Sequence, residues 1–233
     1  MRAIHAAGVF AVLGTVLLIA PCPARGQTAA TRVYTVAAMG DSLTDFRSPG
    51  GGKYLTYLSE RCPRSRFDSY GKGGQMVNQM RARFARDILG DPPDASKPKY
   101  THVIVFGGVN DICSDETAKR TNDKIKADLS AMYDTAHRAG IQVVAITIAP
   151  WGGFKKYFNP RRSASTLTVN QWIQSQAQQG GVDFVVDSGR SLTCGDPERL
   201  CKPDAQKDGL HLSGPGHRKL GEALFDQVFK DCE

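Results

Sequence analysis

The chain lacks the short motifs that mark several large enzyme classes. It contains no Gly-x-Ser-x-Gly elbow, no Gly-Lys-Ser/Thr phosphate loop, and no Cys-x-x-Cys or His-Glu-x-x-His spacing that suggests a metal site. The 30 basic and 23 acidic residues give a net charge of only +7. Since no basic run with interleaved aromatic residues occurs, we expect no nucleic-acid partner.

Long apolar runs are also scarce. One follows Arg2 and His5 and covers residues 6–20, fewer than the roughly 20 residues that a membrane span needs. Small residues then lead to Gly26, so we interpret residues 1–26 as a secretory signal peptide that is removed, with a membrane anchor as the alternative. Residues 27–233 are predicted to form one domain. We expect an extracytoplasmic protein, secreted or periplasmic, that is monomeric and not stably inserted in a membrane.

Short apolar segments alternate with amphipathic segments through the rest of the chain. Five of the apolar segments are predicted strands, at residues 33–39, 66–70, 101–106, 141–148 and 182–186. Helices are predicted at residues 53–61, 75–89, 122–138, 163–178 and about 213–230. Continuously apolar strands separated by helices indicate a parallel sheet covered on both faces. The sequence therefore predicts a flavodoxin-like, three-layer α/β/α sandwich with a five-stranded parallel sheet.

Reactive residue types follow four of the five predicted strands. Ser42 follows the first strand, Gly74 the second, Asn110 the third, and Asp208 and His211 the fifth. Loops after parallel strands meet at one edge of a sheet, so we expect these residues to converge although they are far apart in the chain.

These residue types suit acyl transfer. His211 can take the proton of the Ser42 hydroxyl, while Asp208 can accept a hydrogen bond from the other imidazole nitrogen. The backbone N–H groups of Ser42 and Gly74, together with the Asn110 amide, can donate to a tetrahedral oxyanion. The pattern predicts a serine esterase that forms an acyl-enzyme on Ser42.

Four sequence blocks resemble those of the SGNH (GDSL) hydrolase superfamily. They are Gly-Asp-Ser-Leu at 40–43, a glycine pair at 73–74, Gly-x-Asn-Asp at 108–111 and Asp-x-x-His at 208–211. The resemblance extends from residue 33 to the last predicted helix, and it implies a flavodoxin-like fold, hydrolysis of esters or thioesters, and no cofactor. The family's usual Asn before the glycine block is absent here, which leaves open whether Gly73 or Gly74 is the oxyanion donor.

Several substrates fit this pattern. A carbohydrate or aryl acetylesterase, or another short-chain carboxylesterase, fits as well as a lysophospholipase or thioesterase acting on longer acyl chains. The expected partner is thus a small ester, an acylated carbohydrate or a lipid. Trp151 and Phe154, after the fourth strand, are candidate substrate contacts, unless they only pack the loop. A non-catalytic carbohydrate-binding module is a more distant alternative, because Ser42, Asp208 and His211 are all retained.

Five cysteines follow the predicted signal peptide, so at least one stays free or pairs between chains. Export to an oxidising compartment favours disulfides. The predicted topology places Cys62 and Cys232 at the edge opposite the site, on neighbouring helices, and we predict that they are bonded. We favour Cys194–Cys201 as a second disulfide because of its short loop, which leaves Cys113 free.

Overall fold

A computed structural model describes residues 31–232, and its architecture confirms the predicted α/β/α sandwich. The single sheet has five parallel strands in the order β2-β1-β3-β4-β5. The strands are β1 Thr35–Gly40, β2 Arg66–Gly71, β3 His102–Phe106, β4 Gln142–Ile146 and β5 Phe184–Val186. The predicted signal peptide at residues 1–26 lies outside the described residues, so it remains a prediction, as does the domain start at residue 27.

Seven α-helices cover the sheet in the described part of the chain. They are α1 Lys53–Arg61, α2 Val77–Phe84, α3 Val109–Cys113, α4 Asn122–Arg138, α5 Pro160–Gln179, α6 Ser188–Leu192 and α7 Gly214–Leu224. Single π-helical turns, Ala85–Leu89 and Phe225–Phe229, follow α2 and α7. The bounds of α1 and α4 are those predicted. Helices α3 and α6 were not predicted from the sequence, because five residues are too few to show helical periodicity.

The sheet separates two hydrophobic cores, since successive side chains of a strand point to opposite faces. Along β1, Val36 and Ala38 pack into the core beneath α1 and α7, whereas Ala37 and Met39 pack into the core beneath α2, α4 and α5. Both faces of the central strands β1, β3 and β4 are therefore buried, which explains why these strands are almost continuously apolar, whereas the edge strand β2 carries Arg66, Asp68 and Ser69. Within residues 31–232, no helix is long and apolar enough to span a membrane.

Two disulfides brace the ends of the sandwich. Cys62, directly after α1, is bonded to Cys232, with their Cα atoms 5.4 Å apart, and Cys194 is bonded to Cys201, with Cα atoms 5.3 Å apart. Cys113, at the end of α3, is a free thiol. The first disulfide lies at the amino-terminal edge of the sheet, where the Arg32 N–H also donates to the Asp231 carbonyl over 2.8 Å. The carboxyl-terminal edge, where the predicted site residues lie, is at the other end.

Candidate active site

Three predicted site residues form a continuous hydrogen-bonded chain at the carboxyl-terminal edge of the sheet. Ser42 Oγ lies 2.9 Å from His211 Nε2, and His211 Nδ1 lies 2.5 Å from Asp208 Oδ2. Ser42 belongs to the loop after β1, whereas the other two precede α7. All three are only partly buried, so a substrate can reach the hydroxyl from solvent.

Asp208 is fixed by several donors besides the imidazole. Its Oδ1 accepts the backbone N–H groups of Leu210 and His211, each over 3.0 Å. Burial raises the pKa of Asp208. The hydrogen bond from the His211 side chain and the two backbone hydrogen bonds together outweigh burial and leave the pKa of Asp208 below its usual value. Asp208 is therefore ionised at neutral pH. An ionised carboxylate holds the imidazole with its proton on Nδ1 and stabilises the imidazolium that forms when Nε2 accepts a proton.

Asp41 shapes the turn that presents Ser42. Its backbone carbonyl accepts the Asp45 N–H over 2.9 Å, and its Oδ1 accepts the Leu43 N–H over 3.0 Å. Asp41 is only 1% exposed, and burial raises its pKa to about 6. No acceptor for the Ser42 N–H occurs among the described residues, so this donor is available to an oxyanion.

The two glycines of the neighbouring loop have different roles. The Gly73 N–H donates to Asp45 Oδ2 over 2.9 Å, so that amide is already engaged. The Gly74 N–H has no acceptor within residues 31–232, and its φ of 75° belongs to the left-handed region that favours glycine. A Cβ atom built on Gly73 would lie 3.9 Å from Ser42 Cβ, which places this loop directly beside Ser42. The geometry thus favours Gly74 as the free donor.

Asn110 lies in the first turn of α3 and joins the two loops. Its Nδ2 donates to Asp41 Oδ2 over 3.2 Å and to the Gln75 carbonyl over 3.0 Å. Both amide hydrogens therefore have acceptors in the free protein. Donation to an oxyanion requires one of these bonds to be shared or exchanged, and the bond to Asp41 is the longer.

Sequence reasoning missed two side chains that hold these loops, Asp45 and Arg83. Asp45 reads in the sequence as an ordinary loop residue, and nothing in its neighbourhood marks it as the acceptor for Gly73. The burial of Arg83 could have been predicted, because Arg83 follows Met80 by three positions and so lies on the apolar face of α2. Its side chain is only 5% exposed.

The structure separates the two aromatic residues that were expected to contact substrate. Trp151 is 1% exposed, its indole N–H donates to Thr166 Oγ1 over 3.0 Å, and its ring packs edge-on against Phe158. Trp151 therefore packs beneath α5, where it also lines the larger cavity described below, and its contact with a substrate stays a prediction. Phe154 is half-buried and packs against Tyr157, so it stays a candidate.

Two cavities lie near the carboxyl-terminal edge. A small recess of about 10 Å³, room for about one water-sized group, is lined by neighbours of the site residues and by strand ends: Asp41, Leu43, Phe106, Gly107, Val109, Ile148, Ala149 and Leu210. A larger cavity of about 480 Å³ lies between α5 and residues 187–198. Ile148 lines both cavities and so forms part of the wall between them.

Comparison with known proteins gives a family match. Residues 38–219 match the family described as the GDSL-like lipase/acylhydrolase family, and this stretch includes every residue from Ser42 to His211. No curated protein matches the chain.

Solved structures with the same fold share little sequence with this chain. The acetyl xylan esterase AlAXEase is 20% identical, with 83% of this chain and 99% of that one covered and a TM-score of 0.66. A catalytic mutant of Axe2, an acetylxylan esterase from Geobacillus stearothermophilus, is 16% identical, with coverages of 88% and 99% and a TM-score of 0.67. A GDSL-like lipase from Bacteroides thetaiotaomicron is 19% identical, with coverages of 83% and 86% and a TM-score of 0.66. At these identities the likeness is one of fold.

Proposed function

This chain belongs to the GDSL-like lipase/acylhydrolase family, and we propose that it is an exported serine hydrolase that cleaves carboxylic esters through an acyl-enzyme on Ser42. One observation carries the proposal, namely the hydrogen-bonded chain from Ser42 through His211 to Asp208. A serine hydroxyl becomes a good nucleophile when an oriented base takes its proton. Here the base lies within reach, and its far nitrogen is held by an ionised carboxylate.

In the first half of the proposed reaction, His211 Nε2 takes the hydroxyl proton as Ser42 Oγ attacks the ester carbonyl carbon. The carbonyl electron pair moves onto oxygen and gives a tetrahedral oxyanion. The Ser42 and Gly74 N–H groups and the Asn110 amide donate to it, as Asn110 gives up or shares its longer bond to Asp41. His211 then passes the proton to the departing alcohol oxygen and the acyl group remains on Ser42.

In the second half, water enters in place of the alcohol. His211 Nε2 takes a proton from that water, whose oxygen attacks the acyl carbon and forms a second oxyanion at the same donors. Collapse of this intermediate breaks the bond to Ser42 Oγ, releases the carboxylic acid and returns the proton to the serine. Asp208 stabilises the imidazolium in both halves.

We propose a short acyl group, with acetyl esters of carbohydrates or aryl alcohols as the favoured substrates. The recess beside the nucleophile loop has a volume of only about 10 Å³, which suits a methyl-sized group better than a long chain. Two proteins with the same fold are named acetylxylan esterases, which supports an acetylated carbohydrate as substrate.

Longer acyl chains are the second candidate, as for a lysophospholipase or thioesterase. The observation in their favour is the cavity of about 480 Å³ that meets the small recess at Ile148. If the Ile148 side chain moved when a substrate bound, the two spaces would join into a groove long enough for an extended chain.

The experiment that tests the proposal is hydrolysis of p-nitrophenyl esters from acetate to palmitate, with Ser42→Ala as the control. We expect turnover that is highest on acetate and lost in Ser42→Ala, whose circular dichroism spectrum should be unchanged. A maximum at octanoate or longer would favour the second candidate. Absence of Ser42-dependent turnover and of labelling by a fluorophosphonate would overturn the esterase proposal and favour a non-catalytic carbohydrate-binding protein.

Export is proposed from residues 1–26 and is supported by the two disulfides, which persist in oxidising compartments. The test is amino-terminal sequencing of the protein recovered outside the cytoplasm. We expect a start near residue 27, whereas an intact amino terminus on a membrane-bound protein would favour an anchor.

A further inference from the structure

We infer that Arg83 is a positioning residue that holds the three oxyanion-donor segments in register. Arg83 lies on α2 and does not line either cavity at the site. It acts through the loops that carry Ser42, Gly74 and Asn110. The inference rests on the proposed function, because it concerns the same oxyanion donors.

The guanidinium is buried, and each of its three nitrogens donates at least one hydrogen bond. Its Nε donates to Gln75 Oε1 over 2.7 Å and its Nη1 to Asp87 Oδ2 over 2.8 Å. Its Nη2 donates to the Tyr70 carbonyl over 2.7 Å and to the Gly40 carbonyl over 3.3 Å. Burial of a cation is costly unless its donors are paired, so this arrangement depends on all these acceptors staying in place.

Two of these bonds fix the ends of neighbouring strands. Gly40 is the last residue of β1, two positions before Ser42, and Tyr70 is the next-to-last residue of β2, just before the glycine loop. One nitrogen atom thus bonds to both strands at the point where each leaves the sheet. The relative position of the Ser42 loop and the glycine loop is therefore set by Arg83 Nη2, together with the backbone pairing of β1 with β2.

The third bond reaches the other two donors through Gln75. Gln75 directly follows Gly74, its side chain accepts from Arg83, and its backbone carbonyl accepts from Asn110 Nδ2 over 3.0 Å. A shift of Gln75 therefore moves the amide of Gly74 and the acceptor that orients Asn110. Oxyanion donors act only when they are aimed within a few tenths of an ångström, so such a shift lowers turnover more than substrate binding.

Lysine cannot replace this arginine. A lysine keeps the charge, but its single ammonium nitrogen cannot reach the four separated acceptors that the planar guanidinium serves. Arg83→Lys should therefore disturb the loops while it retains the ion pair with Asp87. Arg86→Lys is a matched control, because Arg86 donates to the same carboxylate, at Asp87 Oδ1 over 2.8 Å, but is 62% exposed and touches neither loop.

The first test compares kcat and KM of both variants on p-nitrophenyl acetate, well below their melting temperatures. We expect Arg83→Lys to lower kcat about 10- to 100-fold with KM changed less than about threefold, whereas Arg86→Lys stays within twofold of the wild type. A kcat for Arg83→Lys within twofold of the wild type would overturn the inference. If Arg83→Lys fails to fold, Gln75→Ala takes its place. This substitution removes the acceptor of Arg83 Nε at a partly buried position, and we expect it to lower kcat by about tenfold.

A double-mutant cycle separates positioning from stability alone. Asn110→Ala removes one of the donors that Arg83 is inferred to position, so Arg83→Lys should cost kcat much less in that background than in the wild type. The coupling measured in kcat should exceed any coupling in melting temperature that arises because both residues contact Gln75. If the fold-loss of kcat in the double variant equals the product of the fold-losses in the two single variants, Arg83 does not act through Asn110, and the inference is contradicted.

A measurement that does not need activity distinguishes failure of this inference from failure of the proposed function. The ¹⁵N–¹H resonances of the Gly74 backbone amide and the Asn110 side-chain amide should move in Arg83→Lys and stay in place in Arg86→Lys. Unmoved resonances would overturn the inference even in an active enzyme. Moved resonances in a protein that hydrolyses no ester would support the positioning role and contradict only the esterase.

Discussion

The Gly73 N–H donates to Asp45 Oδ2 over 2.9 Å and so ties the glycine loop to the loop that carries Ser42. The Arg47 side chain donates to the same carboxylate, and this bond outweighs burial and lowers the pKa of Asp45 to about 2. The acceptor is therefore ionised at every pH at which the protein is expected to work. Because the Gly73 amide is taken, the neighbouring Gly74 amide is left free to serve an oxyanion.

Asp45→Ala should lower kcat about tenfold or more and change KM little, because the released glycine loop no longer holds the Gly74 amide in a fixed direction. Asp45→Asn should retain more activity, since its amide oxygen can still accept from Gly73. Steady-state kinetics on p-nitrophenyl acetate measure both effects. Asp94→Ala, at an exposed turn, is the control, and equal kcat values for Asp45→Ala and the wild type would exclude this role.

Gly74→Ala should lower kcat/KM at least tenfold while Gly140→Ala leaves it unchanged. Both glycines have positive φ, 75° and 72°, and a Cβ atom on either would meet nothing within 4 Å. The two variants therefore carry a similar backbone strain of about 1 kcal/mol, but Gly140 lies after α4 at the opposite edge of the sheet. Kinetics and urea unfolding of both variants check this, and equal activity in the pair would argue against Gly74 as an oxyanion donor.

Ile148→Ala should move the acyl preference toward longer esters, because it removes part of the wall between the recess and the larger cavity. Ile146→Ala is the matched control, since Ile146 is equally buried but packs into the core on the other face of the sheet. Each substitution should cost roughly 2–4 kcal/mol of stability. The ratio of kcat/KM for octanoate to that for acetate measures the effect, and a ratio that rises equally in both variants would point to general loosening.

The stability of Asp41→Asn relative to the wild type should increase as the pH rises. Burial raises the pKa of Asp41 from 3.8 to about 6, so the folded protein binds this proton more tightly than the unfolded chain. The stabilisation that this tightly held proton gives the folded state is complete below about pH 4 and is lost as the pH rises through about 6. The free energy of unfolding therefore falls by roughly 3 kcal/mol over this range. Urea unfolding of both proteins between pH 4 and pH 7 measures the difference, which should grow with pH. A difference that is constant over this range would mean that Asp41 is not protonated in the folded state at pH 5.

The order of strands and helices was predictable because the apolar residues that set the periodicity are the ones that the fold buries. The helix at Lys53–Arg61 and the helix at Asn122–Arg138 begin and end where the pattern predicts. The convergence of Ser42 and His211, separated by 169 positions, follows from the rule that loops after parallel strands share one edge. Neither inference needs any knowledge of side-chain contacts.

The features that the sequence did not reveal depend on side-chain packing and hydrogen-bond acceptors, which leave no pattern in the order of residues. An aromatic residue such as Trp151 has the same appearance whether it packs in the core or lines a binding site. The acceptors of Arg83 include the backbone carbonyls of Gly40 and Tyr70, which every residue type possesses. Which of the Gly73 and Gly74 amides stays free likewise depends on the one that Asp45 accepts, and no sequence pattern reveals that contact.

The disulfide between Cys62 and Cys232 has a mechanical consequence for this protein. Together with the bond between the Arg32 N–H and the Asp231 carbonyl, it joins both ends of the described chain at the edge of the sheet farthest from Ser42. A force applied through residue 232 would pass into α1 through this covalent bond before it could strip the final helix from the sheet. The protein can therefore be tethered at that edge, to a bead or a support, without load on the loops that carry Ser42 and His211.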